Sequence, residues 1–316
     1  MRAASVPIPQ GASLLVRTIF LLVFLLLPAV AWSERRIALV IGNEDYDQAS
    51  NLGNPVSDAV SVADHLEGLG FAFVLETNRD TRQFRRALRD FAEDAEGAAV
   101  ALVYFAGHGL EVNGGNRLLA TDVAFDSLDA LEKTTVPLSD VADLIKGIAP
   151  AAILLVDACR KDPFQGTPLA NLSERSAEPI TGDTAATPRL SPGFSRLGRA
   201  DGLVYAFATA PGATADDGAG DHSPFAAALL RHFGTPGVEL RTALTLVQQD
   251  VYDRTRGAPY IESALPDLIF VAGTIGVTSV RDILLLARPL RCRRGQRTSC
   301  RSMESAARPV MSARLR

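Results

Sequence analysis

An α/β fold, a mainly parallel sheet flanked by helices on both faces, is predicted by three features of the sequence. Apolar runs of strand length alternate with amphipathic stretches of helix length, the pattern of βαβ units. Several helix-length stretches carry start signals, and no internal repeat interrupts the series. The 316 residues, 47% hydrophobic and 22% charged, suffice to bury a sizeable core as one or two domains.

The elements follow in order. Residues 1–31 stand apart as a secretory signal: Arg2 and Arg17 precede the apolar stretch Thr18–Ala31, which ends in the small residues Ala29-Val30-Ala31. At 14 residues the run is short of the roughly 20 that span a bilayer, so export to the periplasm or outside the cell is favoured over a retained membrane anchor. Strands are expected at Ile37–Ile41, Phe71–Leu75, Ala99–Phe105, Ile153–Val156, Leu203–Ala208 and Leu268–Val271. Helices are expected at Ser57–Leu69, Thr81–Ala95, Leu138–Ile148, Pro224–Phe233 and Leu240–Asp250. Ser57 precedes an acid, Thr81 opens an apolar-periodic segment, and Ser223-Pro224 sets a capping hydroxyl before a first-turn proline.

From about residue 162 to 202 the periodicity disappears among Pro163, Pro168, Pro179, Pro188 and Pro192, which predicts a long flexible loop beginning directly after Cys159. The tail, residues 277–316, is basic, with nine arginines against Glu304 between Arg288 and Arg316, and is expected to be disordered. Cys292 and Cys300 lie close enough in that tail to bridge in an oxidising compartment, which leaves Cys159 as the odd thiol. The net charge of −4 gives no reason to expect nucleic acid, and neither a Gly-x-Gly-x-x-Gly nor a phosphate loop is present, so no nucleotide is expected.

Reactive groups of an open parallel sheet gather beyond the carboxyl ends of its strands. His108, between Gly107 and Gly109, follows the third expected strand, as Cys159 follows the fourth. An imidazole can remove a thiol proton and later deliver it to a leaving amine, and Gly109 could present its N–H beside that of Cys159 to a developing oxyanion. Asp221-His222-Ser223 is not read as a triad, since neighbours in sequence seldom adopt that geometry. His65 and His232 fall in expected helices and are read as ordinary surface or packing residues.

Four segments, "RRIALVIGNEDY" (Arg35–Tyr46), "YFAGHG" (Tyr104–Gly109), "LLVDACRKDPF" (Leu154–Phe164) and "YAFATAPG" (Tyr205–Gly212), resemble the caspase-like cysteine peptidases, specifically bacterial metacaspases or orthocaspases and the related paracaspases. The resemblance covers about residues 35–272 and implies the caspase-like (caspase-hemoglobinase) fold with a six-stranded sheet, and a cysteine endopeptidase with His108 and Cys159 as catalytic dyad. The 51-residue spacing of the pair and Ala158-Cys159-Arg160 agree with the caspase signature, while Asp157 and Lys161 replace its glutamine and glycine.

That departure reverses the sign of the specificity pocket. Similarity to metacaspases and paracaspases implies an acidic pocket for arginine or lysine, with Asp58, Asp157 and Asp217 as its acids. Each has a plainer role open to it: Asp58 in the first turn of a helix, Asp157 as a strand-end acid, and Asp217 displaced by its neighbour Asp216. The expected partners are protein or peptide substrates with basic residues, and a membrane only if the leader is retained. No metal or cofactor is expected. Calcium activates some relatives, but Asp216–Asp221 lacks the full ligand spacing of a calcium loop. Lys161, Arg175, Arg189, Arg196 and Arg199 make the loop after Cys159 a candidate for self-cleavage. The alternatives are an inactive caspase-like scaffold and a cysteine hydrolase acting on esters or non-peptide amides.

Overall fold

The computed structural model describes residues 35–159, 163, 167–169, 190–192, 194–198, 201–210 and 220–272. The expected leader, most of the loop after Cys159, Asp216, Asp217 and the arginine-rich tail with Cys292 and Cys300 lie outside the described residues.

Strands β1 (Arg36–Gly42), β2 (Ala72–Thr77), β3 (Val100–Val112), β6 (Ala151–Cys159), β8 (Leu203–Phe207) and β9 (Tyr260–Ser263) form the main sheet in the order β2-β1-β3-β6-β8-β9. The first five strands run parallel, and β9 closes the edge antiparallel to β8. Central parallel strands are covered on both faces, which is why they appear in the sequence as continuous apolar runs.

Alternation along the strands deals side chains to two layers. Leu39, Ile41, Val103, Phe105, Leu154 and Val156 face one layer. It is completed by Phe84, Leu88 and Phe91 of α2 (Thr81–Asp94) and by Val141 and Ile145 of α4 (Leu138–Lys146). Val40, Leu102, Tyr104, Ile153 and Leu155 face the other. There they meet Val62 and Leu66 of α1 (Pro55–Gly68), Phe225 and Leu229 of α5 (Pro224–His232), and Leu244 and Val247 of α6 (Leu240–Thr255). The expected two-sided cover is therefore present.

Several boundaries differ from expectation for local reasons. Helix α1 starts at Pro55, whose fixed φ suits the first turn, and Ser57 does not cap it but donates to the Asn54 carbonyl at 2.9 Å. Asp80, not Thr81, caps α2 in a capping box with Gln83. Glu239 caps α6, while Ser223 caps α5 as expected. The sixth strand is Tyr260–Ser263 rather than Leu268–Val271, where only an isolated bridge, Glu239 to Phe270, forms.

The largest departure is in β3. It does not stop at Gly107-His108-Gly109 but runs on to Val112, turns back through Asn113 (φ 51°) and Gly114 (φ 84°), and pairs with β4 (Gly115–Leu119). Two successive residues with positive φ make the tight hairpin turn that Asn-Gly favours. A small antiparallel ribbon forms as β5 (Thr135–Pro137) joins β4 and β7 (Leu190–Pro192) joins β3. The helical turn α3 (Leu128–Lys133), capped by Ser127, packs Leu131 beneath it beside Val112, Leu119 and Phe125. Part of the expected loop is thus strand. Its descending limb is fastened by Asn116, which accepts from the Ser195 N–H at 2.6 Å and donates to the Ser195 carbonyl at 2.7 Å.

Candidate active site

The site lies at the carboxyl ends of β1, β3 and β6, where α1 and α5 begin. Gly42, at the end of β1, sets the first of these helices. A Cβ there would stand 2.5 Å from the Pro55 carbonyl oxygen and 2.8 Å from Ala59 Cβ, so only glycine lets the first turn of α1 close on the sheet. That turn carries Asp58.

The parallel register of β3 and β6 ends with His108 opposite Cys159. Two residues far apart in the chain are thereby neighbours across adjacent strands, roughly 5 Å from backbone to backbone. His108 is fully buried. Its Nε2 lies 2.7 Å from the Ser50 carbonyl, which can only accept, so Nε2 carries a proton and the lone pair of the neutral ring falls on Nδ1. The Tyr46 hydroxyl accepts the His108 backbone N–H at 2.8 Å, and the two rings pack with centroids 4.8 Å apart.

The flanking glycines are explained by these neighbours. A Cβ on Gly107 would lie 2.6 Å from the Tyr46 hydroxyl, and one on Gly109 would lie 2.2 Å from Cζ of Phe194. Gly109, an expected oxyanion donor, pairs with Leu118 of β4 and has the Phe194 ring against it.

Asp58 and Asp157 converge on Ser223. Asp58 is 1% exposed and Asp157 3%. The Ser223 hydroxyl donates to Asp157 Oδ2 at 2.5 Å and accepts the Ala226 N–H at 2.9 Å, which is its capping bond. The Ser223 backbone N–H donates to Asp58 Oδ2 at 3.2 Å. His222 Nδ1 donates to Asp58 Oδ1 at 2.8 Å, and the Tyr104 hydroxyl lies 3.4 Å from Asp157 Oδ2. Burial pushes the Asp58 carboxyl above its ordinary range, and the bonds from His222 and Ser223 pull back only part of the way. A buried acid such as Asp58, its burial only partly offset, suits a cationic ligand. Asp217, the third expected acid, lies outside the described residues.

The sequence does not give the roles of His222 and Ser223 toward Asp58, nor those of Ser50 and Tyr46 toward His108, although Tyr46 closes one of the resembling segments and Ser223 precedes Pro224. The Asp221-His222-Ser223 segment does not form a triad of its own, since His222 and Ser223 both address Asp58. His65 and His232 pack in helices α1 and α5, the former against the Phe233 carbonyl at 2.6 Å. No cluster of three or more metal-ligating side chains occurs among the described residues, nor any helix long and apolar enough to cross a membrane.

Comparison with solved structures finds caspase-1 from Spodoptera frugiperda, 18% identical over 76% of this chain and 90% of that one, with a TM-score of 0.52. The structure of pro-sf-caspase-1 is 19% identical over 76% and 92%, with a TM-score of 0.53. At these identities the likeness is one of fold. Comparison with curated proteins finds no match. The family model described as the caspase domain, of peptidase type C14, matches residues 35–270, and the chain therefore belongs to the caspase-domain family.

Proposed function

We propose that the protein is a cysteine endopeptidase that cuts peptide bonds after arginine or lysine. Membership of the family already implies a cysteine hydrolase acting on protein substrates. The finer reading rests on one observation: the strand register that sets His108 against Cys159 ends beside two buried acids, Asp58 and Asp157, joined through Ser223.

In this reading His108 takes the Cys159 thiol proton as sulfur bonds to the substrate carbonyl carbon. The backbone N–H groups of Gly109 and Cys159 hold the oxyanion. Collapse of the tetrahedral intermediate breaks the C–N bond, and His108 returns the proton to the leaving amine. Water then attacks the thioester, giving up a proton to His108, and the thiol is regenerated. Asp58 and Asp157, with Asp217 as a third acid, receive the basic side chain. An aspartyl substrate would bring a further anion beside two buried acids, a penalty on the order of 2–5 kcal/mol.

The experiment is a panel of fluorogenic peptides with arginine, lysine or aspartate before the scissile bond, run on wild type and Cys159→Ala with and without chelator. Turnover of arginyl and lysyl peptides, abolished in Cys159→Ala, is expected; faster turnover of the aspartyl peptide would defeat the specificity. The chelator arm tests calcium activation. Fragments cut after Lys161, Arg175, Arg189, Arg196 or Arg199 in wild type and absent from Cys159→Ala would show self-processing. Of these five, Arg196 is described, its guanidinium 5.4 Å from the centre of the Tyr260 ring. Export is proposed on the leader alone, and its check is the amino terminus of the protein recovered from outside the cytoplasm.

One observation favours the inactive-scaffold alternative. His108 has no exposed surface, whereas turnover requires substrate to reach it. Absence of turnover on every peptide, before and after deliberate cleavage in the 160–200 segment, would make that alternative the better one.

A further inference from the structure

The way a cation would reach Asp58 depends on a side chain outside the acidic set. Both Asp58 oxygens are occupied by one turn, Oδ1 by the His222 imidazole at 2.8 Å and Oδ2 by the Ser223 N–H at 3.2 Å. The turn is latched to α1 on either side, the Ser57 hydroxyl donating to the Asp221 carbonyl at 3.1 Å and the Ser61 hydroxyl standing 3.5 Å from His222 Nε2. The two residues on Asp58 are not equally free to leave it. Ser223 is buried, caps α5 and holds Asp157, so moving it undoes a helix start and takes a bond from that acid. The His222 side chain keeps 29% of its surface exposed, and among the described residues its hydrogen-bonding partners are Asp58 and Ser61, both on α1.

We propose that His222 is a specificity-determining residue: its imidazole occupies the Asp58 carboxylate in the free protein, and the basic side chain of the substrate binds by displacing it. The inference rests on the preference for basic residues proposed above. The two cations differ in how they meet the acids. A guanidinium presents a planar fork able to address Asp58 and Asp157 together and sheds its water readily, whereas an ammonium is a compact, strongly hydrated point charge. Arginine therefore binds more tightly than lysine, while the imidazole raises KM for both by the same factor.

The test compares kcat and KM for arginyl and lysyl peptides, with benzamidine as a competitive guanidinium-like probe, in wild type, His222→Ala and His222→Asn. Removing the competitor is expected to lower KM for the arginyl and the lysyl peptide by the same factor, about three- to fivefold, within the energy of one partly exposed pair. kcat should stay within about twofold, and the benzamidine inhibition constant should fall in step with KM. His222→Asn retains a donor toward Asp58 without the ring, and is expected between the two. It also carries the test should His222→Ala fail to fold. An unchanged or raised KM in the variants, or a fall confined to kcat, would overturn the displacement and leave the preference for basic residues standing. A wild type that neither cleaves after arginine or lysine nor binds benzamidine would overturn the preference and the displacement together.

Discussion

Two regions of this molecule hold an acid and a histidine together, and they do so in opposite ways. Between α5 and α6, Asp250 accepts from Arg231 at 2.7 Å, Arg254 at 2.7 Å and His232 at 2.9 Å. Burial pushes its carboxyl up, but the bonds from Arg254 and His232 and the Arg231 charge outweigh it and hold the group below its ordinary value. At the rim of the sheet Asp58 has one histidine and a backbone amide, and burial wins. His232 rests on Asp250, while the Ser50 carbonyl and the Tyr46 hydroxyl hold His108. Compensated charge fastens two helices together. Uncompensated charge is unfavourable in the free protein and becomes favourable when a ligand brings the missing cation, so it belongs where a ligand binds.

The largest effect that could break this contrast is on turnover. Asp58→Asn is expected to lower kcat/KM for arginyl peptides about 100-fold, close to 2.7 kcal/mol of lost binding in the transition state. Asp250→Asn should leave kcat/KM within about twofold. Equal losses in the two variants, measured by initial rates on the same peptide, would mean that the rim acid has no special claim on the substrate.

Next in size is Tyr46→Phe, which removes the hydroxyl on the His108 N–H and leaves the ring packing. We expect about a tenfold fall in kcat, or 1.4 kcal/mol, with KM unchanged, because the imidazole is positioned by Tyr46 and not by substrate. A rise in KM with kcat intact would remove Tyr46 from that role.

How far these residues were legible depends on how they carry their signal. Strands β1, β3, β6 and β8 were visible because burial on both faces demands unbroken apolar runs. Strand β9, "YIES", is half-buried throughout, so its sequence shows no run at all. The hairpin after β3 had a sign in Asn113-Gly114, overshadowed by Gly107-His108-Gly109, which looks like a strand end while its glycines make room for Tyr46 and Phe194. His108 and Cys159 were legible by residue type at the ends of the expected apolar runs, although β3 itself continues to Val112, and Asp58 and Asp157 through the family resemblance. Their partners were not. Ser50 acts through a backbone carbonyl, which any residue supplies, and His222 reaches Asp58 across 164 positions of chain.

Stability sharpens the comparison with opposite signs. Asp58 holds its proton more tightly folded than unfolded, so the folded protein loses stability as pH rises from the unfolded value near 3.8 through the folded one. Asp58→Asn should therefore raise Tm at pH 7, and the gain should shrink as pH is lowered toward 4. Asp250 holds its proton less tightly folded, so its contribution is present above 3.8 and is lost as pH falls through the folded value. Asp250→Asn should cost about 1 kcal/mol at pH 7, a modest figure because the Arg231 and Arg254 side chains are about half exposed, and the deficit should vanish in acid. Melting curves across pH 3–8 that move in the same direction for both variants would contradict the opposite shifts.

A third acid supplies the scale on which the other two are judged. Asp129 meets Lys133 at 2.7 Å one helical turn away, as short a contact as any around Asp250, but the two side chains are 76% and 72% exposed. Water already solvates both charges, and holding them together costs side-chain entropy, so distance alone adds little. Asp129→Asn is expected to change stability by less than about 0.5 kcal/mol at any pH between 4 and 8, read by denaturant unfolding. A loss as large as that of Asp250→Asn would show that contact distance, rather than burial, sets the energy of these pairs, and the distinction between the rim and the α5–α6 cluster would lose its physical basis.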